Sequence, residues 1–270
     1  MHYDPIKNIF AGFIRAIPFT RVLFYKTLDL MFLRSWYVRR ELRHIREQTE
    51  QKPLSIYDAG TGYAQYTYYM SKKMNPCTIY AVDVKEEWIE DSREFFENSG
   101  VKNVTFGVED LTTITHNDKF DVIVCVDVME HIHDDVTVFR NYHKALKKGG
   151  YFIMNTPSIY GGSDMHDDED ESFIGEHARQ GYSIEDIEAK LIPLGFTIYR
   201  YRYTYGTFGD IAWRMGIKAP IQLVNISKFL LVLLPIYFAV MLIPTLLFMA
   251  ADYFSNNKVG SGINVVARKL

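Results

Sequence analysis

The sequence predicts an α/β domain: a doubly wound, largely parallel sheet with helices on both faces. Two observations predict it. From Pro53 onward, short apolar runs alternate with amphipathic stretches of helical length, the pattern of successive βαβ units. The first run also ends in a glycine-rich corner, Asp58–Ala59–Gly60–Thr61–Gly62, that opens a helix. A chain of 270 residues accommodates one such domain with appendages and a sizeable buried core.

In order, strands are predicted at Leu54–Ala59, 78–83, Val104–Val108, Phe120–Val126 and 151–155, with helices near 63–74, 86–98 and 134–147. A helix over 183–194 follows, with Ser183 as N-cap and Asp186 three residues on, a carboxylate variant of the capping box; Gly195 ends it. A strand at 196–203 comes next, and residues 262–268 read as a last strand at the sheet edge. Ahead of this core, residues 5–47 read as one or two helices broken near Pro18, punctuated by Arg15, Arg21, Lys26, Arg34, Arg39 and Arg40. Either a basic amphipathic element lying among lipid headgroups or a cap packed on the core satisfies that pattern. The divisions are therefore 1–52 (cap or membrane contact), 53–203 (core), 204–256 (apolar insertion) and 257–270 (last strand).

Charge is unevenly spread behind a net −3. Residues 1–52 hold ten Lys/Arg against five Asp/Glu and residues 204–270 six against two, which leaves the middle at −12. An acidic globule with basic, apolar ends argues against nucleic acid as a partner and for an anionic lipid surface. Cys77 and Cys125 form no disulfide or zinc pattern, so a reducing, cytosolic setting is expected. The first residues lack the grammar of a signal peptide. Oligomeric state is not readable.

Residues 229–251, 23 uncharged and almost wholly apolar positions within the stretch 221–251, are long enough to span a bilayer. If 262–268 rejoins the core sheet, a single crossing is forbidden. Two crossings at ~20 residues each need about 40 apolar residues, more than the segment holds. The expectation is a monotopic, re-entrant or in-plane helical pair on the cytoplasmic face, kinked at Pro235 and Pro244; a transmembrane anchor is the alternative.

The chemistry starts at the first corner. Glycines at 60 and 62 let backbone approach a ligand closely, and Asp83, about twenty residues on at the end of the second strand, is placed to accept the hydroxyls of a ribose. Ala64 stands where a pyrophosphate cradle wants a third glycine. Phe106–Gly107–Val108–Glu109–Asp110 puts acids past the third strand, and Phe120–Asp121 runs through Asp127 to Glu130–His131 and then Leu146–Lys147–Lys148–Gly149–Gly150. Together these motifs resemble the class I S-adenosylmethionine-dependent methyltransferases, in the group that includes the ubiquinone-biosynthesis O-methyltransferases. The resemblance covers roughly 53–203 and the last strand. It implies a seven-stranded Rossmann-like sheet whose last two strands are antiparallel, with S-adenosyl-L-methionine as cofactor. Asp58, Gly60 and Gly62 would surround the methionine part, Asp83 would bind the ribose and Asp110 the adenine edge, with Val84 and Glu109 also among the cofactor-binding residues. Asp127 would face the transferred methyl group.

Asp127–x–x–Glu130–His131 lies where the acceptor would bind. Relatives with a similar motif sometimes hold a divalent cation such as Mg, so Asp127, Glu130 and His131 are candidate metal ligands as well as pocket lining. His177 is the favoured general base or fourth ligand because imidazole titrates near neutrality; His133 and His166 are weaker candidates, and the acidic run 164–171 reads as a lid. The expected activity is O-methylation of a lipophilic small-molecule acceptor, a polyprenyl phenol or quinol or a hydroxylated lipid, with membrane lipids as the other partner. A carbon methyltransferase or cyclopropane-forming enzyme, or a non-catalytic membrane scaffold, are the rivals.

Overall fold

The computed structural model describes residues 18–161 and 178–270. Two cap helices, α1 (Pro18–Met31) and α2 (Leu33–Gln48), precede the core. The core runs β1 (Leu54–Ala59), α3 (Gln65–Lys73), β2 (Cys77–Asp83), α4 (Glu86–Asn98), β3 (Val104–Val108), β4 (Phe120–Val126), α5 (Asp135–Ala145), β5 (Leu146–Pro157), α6 (Ile184–Leu191) and β6 (Phe196–Thr204). The insertion contributes α7 (Thr207–Trp213), α8 (Ala219–Ile226) and α9 (Leu234–Phe254), and β7 (Gly262–Lys269) follows it.

The sheet has seven strands in the order β3-β2-β1-β4-β5-β7-β6. Strands β1 to β5 pair in parallel, whereas β7 is antiparallel to both its neighbours. The last strand is thus wedged between β5 and β6, and β6 takes the edge expected for it. Alternation along β1 and β4 splits the core in two: Tyr57, Ala59, Ile123 and Cys125 face one helical layer, Ile56, Val122 and Val124 the other. Because β1 pairs with both β2 and β4, the connections leave it in opposite directions. A crevice therefore opens at the carboxyl ends of the central strands.

Local chemistry explains where elements start and stop. Pro18 stands at the first position of α1, where its missing N–H is harmless; the stretch before it lies outside the described residues. Among the described residues, α1 and α2 are separated at Phe32, whose backbone is extended (φ −103°, ψ 112°). Helix α3 starts at Gln65, after Ala64 in the left-handed region (φ +60°). The Leu146–Lys147–Lys148–Gly149–Gly150 segment lies within β5 and is not a loop ahead of it. At α6, Ser183 caps as expected, accepting the Asp186 N–H at 3.1 Å; the Asp186 carboxylate goes to Lys190 at 3.0 Å instead of closing the box.

Of the two readings left open for the N-terminal helices, packing describes α2: Leu33, Tyr37, Val38, Leu42 and Ile45 are buried. Three of its arginines, with Arg21 of α1, pair with protein carboxylates. Arg21 meets Asp91 at 2.6 Å, Arg39 meets Asp29 at 2.5 Å, Arg40 meets Glu41 at 3.2 Å, and Arg34 pairs with Asp127.

The insertion is a helical hairpin. One leg runs from α7 through a π turn (Arg214–Lys218) into α8; the other is a 3-10 segment (Lys228–Leu233) continuing into α9. The reversal is at Ser227, whose backbone is extended (φ −159°), and not at the prolines. Pro235 sits in the first turn of α9, and the helix continues through Pro244. The legs approach closely because a Cβ at Gly216 would fall 2.8 Å from Thr245 Cγ2. The Tyr237 hydroxyl donates to the Met215 carbonyl at 2.7 Å, and Phe208 stacks on Phe248. At the root, Asp252 is fully buried and accepts from Tyr37 of α2, the Gly206 N–H and Asn257. That clasp ties both legs to the cap.

Candidate active site

The first corner is built from inside outward. Strand β1 is covered on both faces, so Asp58 near its end is drawn into the interior, 3% exposed. The Thr61 hydroxyl (3.1 Å) and the Thr67 hydroxyl donate to its carboxylate, and burial pushes its pKa up to about 6. The N–H groups of Gly60 and Thr61 both donate to the Val82 carbonyl, at 2.9 and 2.8 Å, which pins the turn to the end of β2. The Gly62 N–H then donates to Asp83 Oδ2 (2.9 Å) while the Lys85 N–H takes Oδ1 (3.0 Å). Asp83 is thereby fixed by backbone, and a carboxylate has about four lone-pair sites, enough to receive two further hydroxyls.

The two glycines, both at positive φ (+76° and +54°), serve different ends. A Cβ at Gly60 would lie 2.3 Å from Val128 Cγ2, so this glycine lets the corner close on the loop after β4. A Cβ at Gly62 would meet only the Trp88 ring, at 4.0 Å, so its bare backbone borders open space. Beside it Val84 is 62% exposed, an apolar surface next to the fixed carboxylate. Past β3 the two acids part. Glu109 accepts from the Tyr57 and Tyr80 hydroxyls (2.7 and 3.1 Å) and meets His116 at 3.1 Å, so its carboxylate is engaged by the protein. Asp110 is exposed, and its Oδ1 accepts from the N–H and hydroxyl of Thr112 (2.9 and 2.7 Å). A bare turn, a fixed strand-end carboxylate, an exposed apolar side chain and an open acid fit the parts of an adenosyl cofactor: main chain, ribose, base face and base edge. When bound, such a cofactor supplies an electrophilic methyl on a sulfonium. The chain's task is to hold donor and acceptor in line.

The motif expected to take the acceptor lies past β4. Asp127 has positive φ (+53°); its N–H donates to the Asn155 carbonyl (2.8 Å), Asn155 Nδ2 donates to Oδ1 (3.2 Å), and Arg34 of α2 pairs with Oδ2. Glu130 is turned inward, 2% exposed, and accepts from the Thr156 hydroxyl at 3.0 Å; burial raises its pKa to about 7. His131 stays on the surface. Among the described residues no three His, Cys, Asp or Glu side chains gather to hold a cation. The expected Asp127, Glu130 and His131 set is therefore not assembled: one acid is paired with an arginine, one is buried and one histidine faces solvent. His177, His166 and the 164–171 run lie outside the described residues, and His133 is exposed. Description resumes at Ala178, whose N–H donates to the Glu130 carbonyl at 2.8 Å.

Sequence reading missed several members of this cluster. Arg34 looked like one more cation on an amphipathic helix; nothing local says that it crosses to β4. Tyr205, in the left-handed region (φ +53°), accepts the Arg34 backbone N–H at 3.2 Å. Of the tyrosines after the corner, Tyr68 packs on Tyr25 and Phe95, Tyr69 lies under Arg39, Tyr63 stacks on Trp88, and Tyr66 meets Ser35 at 3.2 Å beside Arg34.

Residues 50–187 match the family described as a methyltransferase domain, and the chain belongs to that family. A ubiquinone biosynthesis O-methyltransferase of Coxiella burnetii is 24% identical over 116 residues, 43% of this chain. The chain spans about half the length, 48%, of the curated relatives it first matches. Among solved structures, an S-adenosylmethionine-dependent methyltransferase from Mesorhizobium loti superposes with a TM-score of 0.54 at 18% identity, covering 82% of this chain and 93% of that one. Phosphoethanolamine N-methyltransferase 2 of Haemonchus contortus, in complex with S-adenosyl-L-methionine, superposes at 0.57 with 19% identity, covering 81% and 49%. Those likenesses establish the Rossmann-like methyltransferase fold.

Proposed function

We propose that this protein transfers a methyl group from S-adenosyl-L-methionine to a hydroxyl on a lipid-borne acceptor, at a membrane surface its hairpin enters from one side. One observation carries the reading. The helical stretch Lys228–Phe254 has a mean hydropathy of 2.5 in its most apolar window, of which only 6% is buried in the protein. Phe229, Val232, Ile236, Val240, Ile243 and Leu247 face outward along it. A soluble acceptor gives no reason to keep such a surface in water. The hairpin leaves from β6 and returns as β7, partners in the same sheet, so its two ends share one side of any membrane, in support of monotopic insertion.

Helix α1 supports the same orientation. Phe19, Leu23 and Leu30 are exposed with Lys26 along one side, and Met31 Cε lies 3.4 Å from where a Cβ would stand on Gly216 of the hairpin. The two apolar surfaces adjoin. The O-methyltransferase name of the Coxiella burnetii relatives supports oxygen as the accepting atom. The test is a comparison of lipid extracts by mass spectrometry from cells with and without the gene. A lipid heavier by one methylene only in the former is expected; identical extracts refute the lipid acceptor.

A further inference from the structure

We infer that Arg34 is the acceptor-binding cation of this site, receiving an ionised oxygen carried by the methyl acceptor; the inference rests on the reading of the crevice as a methyl-transfer site. The guanidinium reaches from the cap to the carboxyl end of β4, beside Asp127, and its side chain remains one-third exposed (33%). The arrangement is built from separate parts of the chain: α2 supplies Arg34, the β4 end supplies Asp127, and β5 supplies Asn155 and Thr156. The turn after β6 supplies Tyr205.

Its hydrogen bonding is incomplete in a telling way. Arg34 Nε is buried without a partner, and so is Asn155 Oδ1, on the amide that donates to Asp127. A buried donor and a buried acceptor on either side of one ion pair are costly to leave unmet, and a polar ligand at this point would meet them. The residues on either side of Arg34, Asp127 and Tyr205, both hold φ of +53° without being glycine. Such strain persists where the surroundings enforce it, commonly at ligand sites. An arginine fork matches the oxygen pair of a carboxylate and also donates to the single oxygen of a phenolate. In this structure Asp127 fills the place of that anion. Tyr205 directly precedes Gly206, the hairpin root held by Asp252, so the guanidinium lies at the junction of crevice and membrane element.

The test uses the full chain with S-adenosylhomocysteine bound and benzoate as a one-ring anion, titrated by calorimetry. Wild type is expected to bind benzoate saturably, Arg34→Gln to lose at least about tenfold in affinity, and Arg34→Lys to recover part, as for a charge-assisted pair. S-adenosylhomocysteine affinity in both variants should stay within about twofold of wild type, since a lost distal contact adds little to an independent site. Absence of saturable benzoate binding in wild type, or equal binding in Arg34→Gln, overturns the assignment. A parallel arm follows labelled methyl from S-adenosylmethionine into vesicles made from the lipid extract of cells lacking the gene. No label with wild type refutes the lipid acceptor alone. Label with wild type and an undiminished rate in Arg34→Gln refutes the role of Arg34.

Discussion

Asp83, Gly60 and Asp58 sit within one corner yet act through different physics, and substitution separates them. Asp83 is fixed by two backbone donors and offers its remaining lone pairs outward. Asp83→Ala is expected to weaken cofactor binding by roughly 2–4 kcal/mol, measured by calorimetry; unchanged affinity removes the ribose assignment. Gly60→Ala adds a Cβ 2.3 Å from Val128 Cγ2 at a left-handed φ. A loss of about 2 kcal/mol of stability is expected, part of it restored by Val128→Ala, with urea unfolding as the readout. Asp58 is a titration problem. Its pKa stands at about 6 when folded against the ordinary 3.8, so the folded chain holds the extra proton between those values. Stability therefore falls as pH rises through that window. Asp58→Asn should lack the slope, gaining on wild type by about 2–3 kcal/mol across it; parallel pH curves would disprove the buried-carboxylate account.

At the scale of elements, the hairpin combines tight leg packing with a bare outer surface. Gly216, Phe208 with Phe248, and the Asp252 clasp face inward; Ile236, Val240 and Ile243 are 64%, 64% and 68% exposed. Lysine at these three positions touches nothing in the folded chain, so thermal stability should barely change. Co-sedimentation with anionic vesicles should be lost, because a charge near the middle of a bilayer costs about 2.5–3.5 kcal/mol. Retained sedimentation would shift the membrane contact to α1. The cap helices show why composition misleads at this scale. Arg21 and Arg39 belong to a basic, apolar segment suited to headgroups, yet each is matched by a carboxylate on another helix, Asp91 and Asp29. Periodicity locates a helix face; it does not name what covers that face.

For the whole molecule, the decisive feature is that Thr204 pairs with Gly262 across β6 and β7. The hairpin is thus an insertion between adjacent strand ends, and a short turn could join them. Replacing residues 206–260 by a short Asn-Gly-type turn is expected to leave a folded core that binds S-adenosylhomocysteine and no longer sediments with membranes. Its stability should fall by a few kcal/mol (~2–5, the range for emptied core positions), because Leu33 and Tyr37 lose Ala212 and Met249. Failure to fold at any temperature would show that hairpin and core are one cooperative unit.

Strand runs, helix periods, the glycine corner and the strand-end Asp83 were legible because each is a local pattern within a few turns of chain. The alternating strands and helices, the family motif and the length of the apolar segment follow from the sequence alone. What the sequence left open is what depends on contacts between distant residues: β7 wedged beside β5, Glu109 engaged by Tyr57 and Tyr80, the turn at Ser227 in place of the prolines, and Arg34 laid across Asp127. A side chain's partner is set by the folded neighbourhood, and only tertiary structure brings residues 34, 127 and 205 to one point.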